Sequence, residues 1–119
     1  MIVGIGLDIV LISRIREIKN KDGFVKKVFN DNEIHGDIEK NHQHIAGKFA
    51  AKEAVSKALG IGIRSRWKEY EIINDINGKP VCNLYGKTKE YFDSLGAKKI
   101  FVSISHEKDI AIAQAIIED

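Results

Sequence analysis

At 119 residues, 44% hydrophobic and 30% charged, the chain carries enough apolar content for one modest core, and a single domain spanning 1–119 is expected. The net charge is only +2, and the lone cysteine, Cys82, excludes an intrachain disulfide, which suits a reducing, cytoplasmic setting. No low-complexity tract or internal repeat is visible, and the lone Pro80 leaves no room for a Pro-rich linker.

The first apolar stretch, Ile2 to Val10, is rich in β-branched residues and lacks the length of a membrane span and the basic lead-in of a signal peptide, so it reads as a strand. Gly4 and Gly6 allow another backbone or a ligand to come close. Asp8 interrupts the run, as an N-cap for the segment that follows, a salt-bridged strand end, or half of an oxygen-ligand metal site. Spacing alone leaves the three open.

Leu11, Ile12, Ile15 and Ile18 recur at helical spacing with Arg14, Arg16 and Lys19 between them, which predicts an amphipathic helix. From Arg14 to Lys27 six basic side chains stand against two acidic ones, a face able to attract nucleic acid, anionic lipid or an acidic protein, or simply to be solvated. After the break at Asn20-Lys21-Asp22-Gly23, the residues Phe24, Val25, Val28 and Phe29 predict another helical turn or two, and Asn30-Asp31-Asn32-Glu33 a turn into a further helix. The stretch from His35 to His44 is polar and has no assignable period. Its histidines lack the companion cysteines or repeated spacing of a metal site and read as loop residues.

A long helix from about His44 to Leu59, ended by Gly60, follows from strong helix formers without internal Pro and a glycine where a left-handed residue is wanted. Glu53 and Lys57 fall on one stripe, flanked by Ala46, Phe49, Ala50 and Ala54. On a solvated face such a pair is worth about a few tenths of a kcal/mol. Among small and apolar neighbours, Glu53 needs a counter-charge, for which Lys57 and a metal ion are both candidates.

Beyond the helix, Gly60-Ile61-Gly62-Ile63-Arg64-Ser65-Arg66 is either a plain exit loop or a backbone cradle for phosphate. Trp67 to Asn74 reads as a strand, Asn77-Gly78 as a hairpin turn, and Val81 to Leu84 as the returning strand, with Cys82 a buried, inert thiol. Thr88 to Leu95 is predicted as a short helix with Tyr91, Phe92 and Leu95 inward. Two closing strands, Ile100 to His106 and Ile110 to Ile117, put Val102, Ile104 and His106 on one face and Phe101, Ser103 and Ser105 on the other. His106 at the hairpin tip is a structural histidine or an anion contact.

Two stretches, Gly4-Ile5-Gly6-Leu7-Asp8-Ile9-Val10 and, with about 45 residues between Asp8 and Glu53, Phe49-Ala50-Ala51-Lys52-Glu53-Ala54-Val55-Ser56-Lys57-Ala58-Leu59-Gly60, resemble the paired motifs of the phosphopantetheinyl transferases. Asn77-Gly78-Lys79-Pro80 and Val102-Ser103-Ile104-Ser105-His106 extend the match, and the length is similar to that of the short, single-domain holo-acyl-carrier-protein synthases. This resemblance implies transfer of 4′-phosphopantetheine from coenzyme A to a serine of apo-acyl carrier protein, leaving adenosine 3′,5′-bisphosphate, in fatty acid biosynthesis. It implies Asp8 and Glu53 as magnesium ligands, Lys57 on the pyrophosphate and Glu53 as candidate base. It further implies Lys48, Gly60, Gly62, Lys79, Pro80, Ser105 and His106 on the cofactor. Against the acidic carrier protein that the resemblance implies, Arg14 and Phe24 match family positions best, while Arg16 and Lys27 join them on charge and Ile18 on its apolar character. Three positions depart from the family's habit: Lys48 replaces a common Arg, Ile61 stands where Thr is common, and Glu107 follows His106 where a hydroxyl is frequent.

The fold implied is α+β, one antiparallel sheet built from the N-terminal strand and both hairpins with helices packed on it, assembled as a homotrimer with sites at subunit boundaries. A rival reading is a small RNA-binding module using the basic helix at 14–27, but it has no exposed aromatic pair or Gly-x-x-Gly clamp and leaves Glu53 unexplained. Another rival is a trimer that assembles but has lost activity.

Overall fold

The computed structural model, which describes residues 1–119, begins with β1 (Ile2–Leu11), followed by α1 (Ile12–Arg16), α2 (Lys21–Val28) and the long α3 (His42–Leu59). The hairpin β2 (Tyr70–Asn74) and β3 (Pro80–Leu84), then α4 (Gly86–Ser94), β4 (Lys99–Glu107) and β5 (Ile110–Glu118), complete the chain. Strands β1, β5 and β4 form an antiparallel sheet with β5 in the middle, and α3 lies across its inner face. The α+β class holds. The single sheet does not, because β2 and β3 pair only with each other. Where β3 nears β4, Cys82, Leu84, Phe92 and Ile100 line a hollow of about 320 Å³, and no backbone ladder joins the two strands.

Alternation along β1 is strict from Val3 onward. Val3, Ile5, Leu7, Ile9 and Leu11 point outward, while Gly4, Gly6, Asp8 and Val10 point at α3. The two glycines let the strand backbone touch the helix backbone: a Cβ on Gly4 would run into the Ala58 carbonyl, and one on Gly6 into that of Ala54. Opposite them β5 turns Ala111, Ala113, Ala115 and Ile117 inward, again mostly small. Between Ile45 and Leu59 only Phe49, Glu53 and Lys57, spaced four apart, escape full burial. Helix α3 is therefore a central helix with a single open strip.

Local expectations shift where long-range pairing overrides periodicity. Leu11 belongs to β1 through its partner Ile110, so the predicted amphipathic helix shrinks to the five residues of α1. Its start is tied down by Asp109 of the β4–β5 turn, which accepts from Ser13 N at 2.8 Å and Ser13 Oγ at 2.7 Å. Trp67–Glu69 is a 3₁₀ turn ahead of β2, and another 3₁₀ turn, Ile38–Lys40, lies in the unassigned polar stretch. In α4 the buried residues are Thr88 and Phe92, while Tyr91 stays exposed and Leu95 lies just past the helix, also exposed. The Asn77-Gly78 pair sits in a five-residue loop, not a two-residue turn. Asp75 Oδ1 caps this loop by accepting from Asn77 N and Lys79 N at 2.8 and 2.9 Å.

Candidate active site

Because Asp8 follows Gly6 on the inward face of β1, the close approach of strand to helix delivers its carboxylate to the open strip of α3. Lys57 Nζ donates to Asp8 Oδ1 and to the Leu7 carbonyl, each at 3.0 Å. Glu53, one turn earlier, is half-buried. Burial lifts its carboxyl above the ordinary range, the neighbouring Asp8 charge lifts it further, and Lys57 pulls the other way. The two carboxylates thus lie close enough to repel. The N-cap reading of Asp8 fails, since β1 continues to Leu11 with Asp8 paired to Ala113, and the salt-bridged reading is correct as far as Lys57 goes.

The donor set suits a hard cation. Neighbouring carboxylates gain from an added positive charge, and magnesium takes one or two protein carboxylates, filling its shell with phosphate and water oxygens.

A polar cleft lies against the N-terminal half of α3. His44, Gly47, Lys48, Asn74, Gly78, Pro80, Ile104 and His106 enclose about 190 Å³, and an adjoining hollow of about 220 Å³ shares His44, Lys48 and Asn74. The absent side chain of Gly47 makes room for His106, whose Nε2 would lie 2.8 Å from a Cβ there. That nitrogen is occluded and has no hydrogen-bond partner. Burial first, then the proximity of His44, pushes the His106 imidazole below its ordinary value, against a backbone hydrogen bond with Gln43 that raises it. Lys48 is buried and donates to the Glu33 carbonyl. Burial lowers its ammonium, and the Glu33 charge opposes that.

The predicted cofactor residues fall into three places within one chain. Lys48, Pro80 and His106 share the cleft, with Lys79 exposed on the adjoining turn. Gly60 ends α3 in a left-handed conformation, φ 80°, and Gly62 lies beyond it beside Arg64, Arg66 and Lys87 around about 260 Å³. Ser105 points to the outer face of the sheet, opposite His106. Of the residues expected to meet a carrier protein, Arg14, Arg16 and Lys27 are exposed, and Ile18 packs against the core. Phe24 stacks toward Phe49 with ring centroids 5.8 Å apart, and Phe49 toward Trp67 at 4.9 Å. Phe49 precedes Glu53 by one helical turn, so this aromatic wall runs from the basic region to the carboxylates.

Sequence reasoning overlooked Glu33 and Lys52, both fully buried and joined at 2.9 Å. A signal was present: Lys52 lies among Ala50, Ala51, Ala54 and Val55, and such a helix leaves no solvated side for a second stripe of charge. Cys82 is buried as expected, and burial pushes its thiol up to about 12. Folded protein should therefore take up no iodoacetamide at neutral pH, while urea-unfolded protein takes up one equivalent by mass; rapid labelling of the folded form would contradict the packing around β3.

A family model of the 4′-phosphopantetheinyl transferase superfamily matches residues 4–115. A holo-[acyl-carrier-protein] synthase of Alkaliphilus oremlandii is 48% identical over 120 residues, covering 98% of each chain. The crystal structure of the Plasmodium yoelii holo-ACP synthase superposes with a TM-score of 0.83 at 40% identity, covering 98% of this chain and 94% of that one. The Helicobacter pylori holo-[acyl-carrier-protein] synthase, solved in complex with coenzyme A, gives 0.80 at 33% identity, covering 96% and 99%. With its paired motifs brought together across the β1–α3 contact and its relatives matched end to end, the chain belongs to the holo-[acyl-carrier-protein] synthases of the 4′-phosphopantetheinyl transferase superfamily.

Proposed function

We propose that this chain transfers the 4′-phosphopantetheine arm of coenzyme A to a serine hydroxyl of apo-acyl carrier protein, releasing adenosine 3′,5′-bisphosphate. In this reading residues 1–119 form one magnesium-dependent transferase domain, acting in the cytoplasm in fatty acid biosynthesis. The observation that carries it is the meeting of Asp8, Glu53 and Lys57, with Lys57 Nζ 3.0 Å from Asp8 Oδ1, in a relative of synthases crystallised with coenzyme A.

Asp8 and Glu53 are the side chains that would hold magnesium, which when bound supplies positive charge to the pyrophosphate. Lys57, half exposed on a flexible stem, swings from Asp8 to a pyrophosphate oxygen and offsets the charge that grows there. The Glu53 side chain is the candidate acceptor of the serine proton as the serine oxygen attacks phosphorus and the bond to the leaving bisphosphate breaks. Lys48, Lys79, Pro80 and His106 hold the nucleotide end, and the backbone at Gly60 and Gly62 borders the pantetheine phosphate. Arg14, Arg16 and Lys27 steer the acidic carrier, with Ile18 and Phe24 as apolar contacts.

Assembly as a homotrimer is supported by the outer face of the sheet, where Ile5, Leu7, Ile9, Leu11, Phe101 and Ile110 are exposed together. Coenzyme A bound at such a boundary would reach Ser105, which lies on that same face. No helix is long and apolar enough to cross a membrane.

Incubating the protein with apo-acyl carrier protein, coenzyme A and magnesium should add the mass of one phosphopantetheine arm to the carrier. No gain with any of several carriers, from protein that elutes as a trimer, would favour the assembly-only reading.

A further inference from the structure

Glu33 is the most heavily bonded side chain in the protein, and the transfer chemistry does not use it. Its Oε1 accepts from Ile72 N at 2.7 Å, and its Oε2 accepts from Asn30 N at 2.6 Å, Asn30 Nδ2 at 3.2 Å and Lys52 Nζ at 2.9 Å. Its backbone carbonyl receives Lys48. Lys52 Nζ is further held by the carbonyls of Val28 at 2.8 Å and Trp67 at 3.0 Å, and lies 4.8 Å from the Phe29 ring centroid. One carboxylate therefore joins the segment after α2, the middle of α3 and the middle of β2.

The placement matters because Lys48 and Lys52 stand one helical turn apart, and both reach toward Glu33. Lys48 lines both hollows of the polar cleft, and Glu33 and Asn74 border the first of them. A lysine on a flexible stem has many rotamers, and a buried one without an acceptor withdraws or loses its proton. Here the acceptor is the backbone carbonyl of Glu33, the residue whose side chain receives four bonds, one of them from Lys52.

We propose that Glu33 is a positioning residue: by pairing with Lys52 it pins the 30–34 segment, whose carbonyl at position 33 holds the Lys48 ammonium in the cleft. The alternative is a role in stability alone, and a buried ion pair allows the two to be separated. Breaking such a pair strands a charge, whereas replacing both partners restores much of the stability. Glu33→Gln strands Lys52, while Glu33→Gln combined with Lys52→Met removes both charges and keeps an amide that can still accept from Ile72 N.

The experiment follows the Lys48 side-chain ammonium by ¹H–¹⁵N spectroscopy in both variants, with thermal melts alongside. In the parent a protected Lys48 ammonium signal is expected. In both variants it should be lost, even though the double variant melts near the parent. Resting on the proposed function, the affinity for adenosine 3′,5′-bisphosphate measured by calorimetry should fall about tenfold in both, the size of effect expected for a charged hydrogen bond. A double variant that keeps the Lys48 signal overturns the proposal and leaves Glu33 a structural residue only. If the parent fails to bind the nucleotide, the proposed function falls, and the ammonium signal still decides the role of Glu33.

Discussion

Asp8→Ala and Glu53→Ala are each expected to slow phosphopantetheine transfer by about 10³-fold, the scale on which a preorganised charge at a phosphoryl centre acts. The fold should survive. Asp8 takes part in one ion pair, and its partner Lys57 is half exposed, so removing the carboxylate leaves that ammonium a route to water and strands no buried charge. Removing either carboxylate also relieves the repulsion that lifts Glu53. Melting temperatures should thus stay near that of the parent while activity collapses. Asp8→Asn, which preserves shape and removes charge, should be nearly as impaired. Normal turnover by any of these variants, measured as mass gain on the carrier protein, would remove the carboxylates from the mechanism. A large drop in melting temperature would instead assign them to the fold.

Gly6→Ala should be the most damaging of small substitutions, lowering stability by about 3 kcal/mol, the upper end of the cost of overpacking a core. The added methyl group points at the Ala54 carbonyl oxygen of α3, a backbone atom that cannot rotate away. Either the strand retreats or the helix does, and both motions open the contact that holds Asp8 beside Glu53 and Lys57. Denaturant midpoint and transfer rate should consequently fall together, in contrast to Asp8→Ala, where only the rate falls. A Gly6→Ala protein with parental midpoint and rate would mean that the strand and helix do not touch as described. Gly4→Ala meets the Ala58 carbonyl in the same way and should behave alike.

Much of this was legible in the order of residues. The alternation of β4 put His106 with Val102 and Ile104, and the structure keeps them on one face. The glycines of β1 signalled a close approach, and what comes close is the backbone of α3. Glu53 and Lys57 shared a stripe because they stand four apart on a helix, and that stripe is the open one. The pairing of Asp8 with Glu53 was legible only through the family resemblance, for nothing local links residues so far apart.

The sequence by itself determined most of the element types, the breaks at Gly60 and Gly78, and most faces of strand and helix, because backbone preference and side-chain period act over a few neighbouring residues. Only the tertiary structure decided that Leu11 stays in a strand, that the hairpins lie in separate sheets, and that Lys52 is sealed against Glu33. Each of these depends on what arrives from elsewhere: Ile110 for Leu11, a hollow in place of a ladder where β3 nears β4, and Glu33 for an ammonium that helix propensity alone would leave in water. A charge is buried when distant segments supply its acceptors, and no local pattern records their arrival.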